Sequence, residues 1–144
     1  MSARSMIVNA LAEVFKSSIN GTSPYNTNLY SNNVSTKLKF WDEVSDFPYI
    51  CIVAGPEYRE YLPGDFKWGI LNIAIKLYVY GENPNEQLEE LIQDVEYAIS
   101  NNEELSLADG RRTTEILITS IITDEGLLSP HGVGEVNASV RYEV

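Results

Sequence analysis

Hydrophobic and polar positions follow three different rhythms along this chain. Near the N-terminus Ile7, Ala10, Leu11, Val14, Phe15 and Ile19 recur at steps of three and four, the spacing of a helix with one buried face. Asn20-Gly21 predicts its end, because glycine takes the left-handed conformation that closes a helix. Residues 22–36 lack any charge and are rich in Asn, Ser and Thr, which predicts a loop. Loops this long are commonly functional or disordered. Two readings stay open: a surface excursion, or a segment that orders against a partner through Tyr25, Leu29 and Tyr30. Phe40-Trp41 and Phe47 then surround an acidic turn with Asp42, Glu43 and Asp46. After Pro48, the wholly apolar run Tyr49–Ala54 ends at Gly55-Pro56. Its length and β-branched content predict a short buried strand, followed by a tyrosine-bearing excursion over Glu57–Gly64.

The second rhythm is strict alternation. Between Asp65 and Tyr80, Leu71, Ile73, Ile75, Leu77 and Val79 share one face, with Trp68, Ile70, Asn72, Ala74, Lys76, Tyr78 and Tyr80 on the other. Such a strand would span ~50 Å at ~3.3 Å per residue, against a radius of gyration of ~15 Å for a domain this size. Either Gly69 bends it or its first part projects as an arm. A second helix is predicted from Asn83-Pro84-Asn85-Glu86, with Asn83 as N-cap, Pro84 at the first helical position and Glu86 placed for a capping box. Leu88, Leu91, Ile92, Val95, Ala98 and Ile99 form its buried stripe; Glu86, Glu89, Glu90, Gln93 and Asp94 are expected on the solvent side. Asp109-Gly110 signals a turn, Thr113–Thr123 a strand, residues 124–134 a Gly/Pro loop, and Glu135–Val144 a terminal strand whose regular alternation implies one wet face. The α-β-β-α-β-β order predicts an α+β fold. One domain, residues 1–144, would have an antiparallel β-sheet with helices packed on one face and a possible projecting hairpin arm.

The net charge of −11, from ten basic and twenty-one acidic residues, argues against a phosphate-reading surface for nucleic acid. From Glu82 to Asp109 there are nine acids and no base, which suits a solvated helix face. One cysteine and one histidine allow neither an intrachain disulfide nor a zinc site of conventional ligands. Cys51, mid-strand, is expected to be a buried packing residue, and His131, in Ser-Pro-His-Gly, a solvent-facing loop residue. No nucleophile with a base, phosphate-binding loop or calcium-loop spacing is present. The expected catalytic, cofactor and metal residues are therefore none. The N-terminus lacks the apolar stretch of a signal peptide, and no run approaches the ~18 apolar residues of a membrane span.

Three features carry a resemblance to the tail terminator and neck (head-tail joining) proteins of tailed bacteriophages. One is the N-terminal helix leading through a polar loop to Phe40-Trp41-Asp42-Glu43 and Pro48–Gly55. Another is the long Trp68–Tyr80 strand followed at once by an acidic helix. The third is the ending from Thr123 to Glu135 with its terminal strand. The resemblance implies a structural virion protein, made in the host bacterial cytoplasm and built into the tail or neck. It implies a hexameric ring that caps the tail tube, docks head-completion or connector proteins, and passes DNA through its lumen without specific binding. Closed rings need two different complementary faces per subunit. On that expectation Tyr25, Tyr30, Tyr58, Arg59, Tyr61 and Trp68 are candidate subunit or tube contacts. Asp42, Glu43, Asp124 and Glu125 are candidate lumen acids, since a negative lumen does not retain a DNA backbone. Two other classes compete: a cytosolic α+β module binding a small molecule or peptide in a pocket edged by Trp41, Tyr58, Tyr61 and Trp68, and an acidic mimic of DNA.

Overall fold

A computed structural model describes all residues, Met1–Val144. Helix α1 (Ala3–Ser18) starts where the Ser2 hydroxyl accepts the Ser5 N–H at 3.1 Å. It buries Ile7, Leu11 and Phe15 together with Met6, Val8 and Ala12, while Ala10 and Val14 sit at the rim of the stripe. The Ile19 N–H closes on the Phe15 carbonyl and Gly21 takes φ +81°, as the Asn-Gly signal predicts. Helix α2 (Pro84–Ser100) buries the whole expected stripe. Its start differs from expectation: Asn83 has φ −121°, ψ 68° and its side chain caps nothing. The entry is set by Pro84 and by the Asn83 carbonyl, which accepts the Gln87 N–H at 3.0 Å.

The strands are β1 (Val34–Ser35), β2 (Tyr49–Leu62), β3 (Phe66–Tyr80), β4 (Thr113–Thr123) and β5 (His131–Glu143), in the sheet order β1-β2-β3-β5-β4. The four long strands pair antiparallel; β1 pairs parallel to β2, so the sheet is mixed. That short strand lies inside the stretch expected to be only loop. It forms because Asn33 is carried to the sheet edge, where its carbonyl accepts the Ile50 N–H at 2.9 Å. Nor does β2 stop at Gly55-Pro56. The register slips between Ala54 and Glu57, and the bulge absorbs a proline that has no N–H to give to a ladder. Strand β3 is continuous, and its early residues project. Strand β5 accompanies it only as far as the Trp68–Glu143 pair, beyond which the β2–β3 hairpin runs on alone to a turn at Gly64 and Asp65. Gly69 serves a close approach: a Cβ there would lie 2.5 Å from the Tyr142 ring.

Both helices cover one sheet face. Ile50 and Ile52 of β2, Leu71 to Val79 at alternate positions of β3, and Val136, Ala138, Val140 and Tyr142 of β5 join the helix stripes in one apolar cluster. On the opposite face only one end is covered, by the loop between β1 and β2. There Val44, Tyr49, Cys51 and Tyr78 form a small second cluster with Trp41, Phe47 and Val133. Cys51 is buried as expected, and burial raises its thiol pKa. Burial likewise pushes the Tyr78 phenol up to about 12. The rest of this face is wet: Lys76 pairs with Glu135, whose carboxyl is held below its usual range by that lysine and then by Asn137.

Candidate assembly surfaces

Most of the candidate residues fall at the two ends of the sheet. At one, β2 and β3 extend as the arm, β4 begins and β5 finishes. Tyr58 and Tyr61 stand exposed there, the latter at 69%, with Leu62 and Phe66 at the tip. Toward the root of the arm the charges pair with one another. The Arg59 guanidinium lies 2.7 Å from Glu57, whose other oxygen accepts the Tyr142 hydroxyl at 2.9 Å. Arg141 reaches Glu60 at 3.4 Å and lies 4.8 Å from the centroid of the Trp68 ring. Burial and then the Glu57 hydrogen bond raise the Tyr142 pKa, and Glu57 likewise raises that of Arg59. Tyr58, Arg59, Tyr61 and Trp68 are thus brought together on one hairpin, with Trp68 at its root.

At the other end β2 and β5 begin, and β3 and β4 finish. Asp42 and Glu43, on the loop entering β2, and Asp124 and Glu125, on the β4–β5 loop, share this end. Asp42, Glu43 and Glu125 are exposed. Asp124 is half-buried and shapes its loop: one carboxylate oxygen accepts the Leu128 N–H at 3.1 Å and the other is buried without a partner. His131, expected to face solvent from a loop, instead opens β5 inside an aromatic cluster. Its ring centroid lies 4.9 Å from Trp41, 5.5 Å from Phe47 and 4.8 Å from Tyr80. The reason is register: His131 pairs with Tyr80 across β3–β5. The same register dissolves the expected pocket of Trp41, Tyr58, Tyr61 and Trp68. Trp41 packs at the first residue of β5 while Trp68 pairs near its last, ~40 Å away at ~3.3 Å per residue.

The uncharged loop is firmly seated. Asp94, expected on the solvent side of α2, is only 2% exposed and accepts the N–H groups of Asn26 and Thr27 at 3.0 and 2.8 Å, and the Thr27 hydroxyl. A buried carboxylate is tolerated where donors converge on it. Of the three expected contact groups on this loop, Leu29 is core and Tyr25 packs edge-on against Tyr97 at 5.4 Å. Tyr30 alone points outward, held at φ 52°.

Sequence reasoning missed a further surface. Strand β4 is the sheet's outer strand, and Leu117, Ile121 and Ile122 on it are exposed. Glu115 is its one charged residue and no proline interrupts it, so its edge is blunted only by the two register slips, between Thr113 and Glu115 and between Ile118 and Ser120. The missing alternation in Ile116-Leu117-Ile118 and Ile121-Ile122 was the available signal.

At the level of fold, the chain is similar to a chain in a solved structure described as the virion of a native gene transfer agent particle. The TM-score is 0.69 and identity 10%, with 99% of this chain and 98% of that one covered. The class is therefore a two-helix, mixed-sheet α+β fold also found in a virion particle. The chain belongs to the bacteriophage tail tube terminator proteins, whose family model matches residues 1–144. It is 33% identical, over 154 aligned positions, to the tail tube terminator protein p142 of Escherichia phage T5, covering 99% of this chain and 95% of that protein. Proteins of this family are virion components, and the resemblance read from the sequence stands.

Proposed function

We propose that this chain forms a hexameric ring that ends the tail tube, presents a docking surface to head-completion or connector proteins, and passes DNA through its lumen. Its role is structural rather than catalytic. The observation that supports the ring is the pair of unlike features on one subunit, the exposed hairpin arm and the β4 edge with its exposed Leu117, Ile121 and Ile122. Heterologous contacts of this kind close into rings when the rotation between subunits allows it. In this reading Tyr58, Arg59, Tyr61 and Trp68 contact a neighbour or the tube, with Tyr30 and the Tyr25 loop as a second contact. Asp42, Glu43, Asp124 and Glu125 face the DNA path. Only carboxylates within ~8–10 Å of that path act on it at physiological salt.

The test is a reconstruction of the assembled neck by cryo-electron microscopy without imposed symmetry. Six copies of this chain in a closed ring at the tube end are expected. Five or seven copies, or a single one, would overturn the proposal.

A further inference from the structure

Two copies of a chain with net charge −11 repel one another overall, and a contact that sets unspent bases against acids offsets that repulsion locally. Most of the ten bases are already engaged. Lys16, Arg59, Lys76, Arg111, Arg112 and Arg141 each have a carboxylate within 4.0 Å. Arg4 donates to the Gly55 carbonyl at 2.6 Å. What remains is Lys67 on the arm and the pair Lys37 and Lys39. That pair alternates with two exposed apolar side chains, Leu38 at 50% and Phe40 at 60%, in a strap leading out of β1. The strap is anchored, since the Lys39 carbonyl accepts the Tyr78 hydroxyl at 2.5 Å and its ammonium lies 5.2 Å from the centroid of the Tyr49 ring. A surface segment whose backbone is already held gives up less entropy on binding.

The same molecule carries a surface of the complementary kind. Between the Asp94-held loop and the start of α2 lies a groove of about 360 Å³ whose walls include Tyr30, Phe47, Tyr80, Gln87 and Glu90. Gln87 and Glu90 also line the adjoining cleft with Glu82 and Glu86, so the aromatic groove opens onto a shelf of carboxylates. No base lies within 4.0 Å of any of those three glutamates. Tyr30 is set outward at its rim by the Asn28 side chain, which accepts the Tyr30 N–H at 2.8 Å.

We infer that the Lys37–Phe40 strap of one copy seats in the Tyr30–Tyr80 groove of the next, with Lys37 and Lys39 on Glu86 and Glu90 and the apolar side chains between them against the aromatic walls. The inference rests on the ring reading and adds to it a subunit contact distinct from the arm and the β4 edge. Each copy holds both halves, so the contact is heterologous and passes from subunit to subunit around the ring.

The experiment combines charge exchange with cross-linking in assembled tails. K37E/K39E and E86K/E90K, all at exposed positions, are each expected to lower the yield of ring-bearing tails ~tenfold or more, and the combined variant to return it to within about threefold of wild type. Thermal melts of the isolated variants check that each one folds. In a C51A background, oxidation of L38C/Q87C is expected to give a ladder of covalent oligomers, with neither single cysteine doing so. If wild-type tails carry the ring but the combined variant stays defective, or no ladder forms, the strap contact is wrong and the ring stands. If wild-type tails carry no closed ring, the ring reading fails and takes this contact with it.

Discussion

At the arm end of the sheet Arg59 lies 2.7 Å from Glu57, Arg111 2.7 Å from Asp109, Arg141 3.4 Å from Glu60 and Arg112 3.9 Å from Glu104. At the opposite end Asp42, Glu43, Glu82 and Glu125 face no base within 4.0 Å. Apart from Asp65 and Lys67 near its tip, the charges around the arm are paired, so most of what it exposes is aromatic and aliphatic surface at Tyr58, Tyr61, Leu62 and Phe66. Attraction through such surface depends on apolar burial and changes little with salt. The acidic end offers uncompensated charge, whose reach shrinks with ionic strength. One sheet thus exposes two kinds of surface about a strand's length apart.

The largest expected effect tests the arm. Replacing Tyr61–Lys67 by Asn-Gly closes the hairpin on the Glu60–Trp68 pair and removes only exposed side chains. Assembly into tails should fall ~100-fold or more, as expected when the anchoring aromatics of an interface are lost, while the melting temperature of the monomer shifts by only a few degrees. A collapse of that temperature would show the arm to be core and end the contrast between the two ends.

Next in size is Asp94→Ala, which removes the buried acceptor of the Asn26 and Thr27 N–H groups and of the Thr27 hydroxyl. Loss of about 2–4 kcal/mol of stability is expected, measured by urea unfolding, with the loop that carries Tyr30 exchanging its amide hydrogens faster. If exchange there is unchanged, that wall of the acidic end is held by something other than Asp94. Gly69→Ala sharpens the boundary at the arm's root. Its new methyl must displace the Tyr142 ring, at a cost of about 1–3 kcal/mol, seen as a lower urea midpoint at an unchanged slope. A neutral outcome would mean that the ring moves freely and the arm begins further into the sheet.

The smallest effect belongs to the acidic end. D42K/E43K/E125K spares Asp124, whose carboxylate ties its own loop. It should leave the monomer's stability within ~0.5 kcal/mol, as for surface changes generally, and slow DNA ejection several-fold at low salt and less at high salt. Ejection insensitive to both the substitution and the salt would place these acids away from the DNA path.

Elements whose signal is local were legible in the sequence. Helix α1, the buried stripe of α2, the alternation of β3 and β5 and the burial of Cys51 all follow from spacing alone, because a period of 3.6 or 2 states which side chains share a face. The layout that carried the family resemblance is the same set of elements read in order. Positions whose environment comes from another part of the chain were not legible. Asp94 reads as one more acid on a solvated helix, and only the approach of Asn26 and Thr27 makes burial its lower-energy place. His131 reads as loop, and only its register opposite Tyr80 puts it among aromatics. Gly55-Pro56 reads as a strand end, yet the pairing of Glu57 with Leu71 continues the ladder and turns the proline into a bulge. Charges that neutralise in pairs at one end and stand alone at the other are decided by sheet order, because Arg141 and Glu60 are far apart in the chain and meet only when β5 lies beside β3. Sequence periodicity determined the faces of each element; pairing between distant segments, which no local pattern encodes, decided which faces were left for partners.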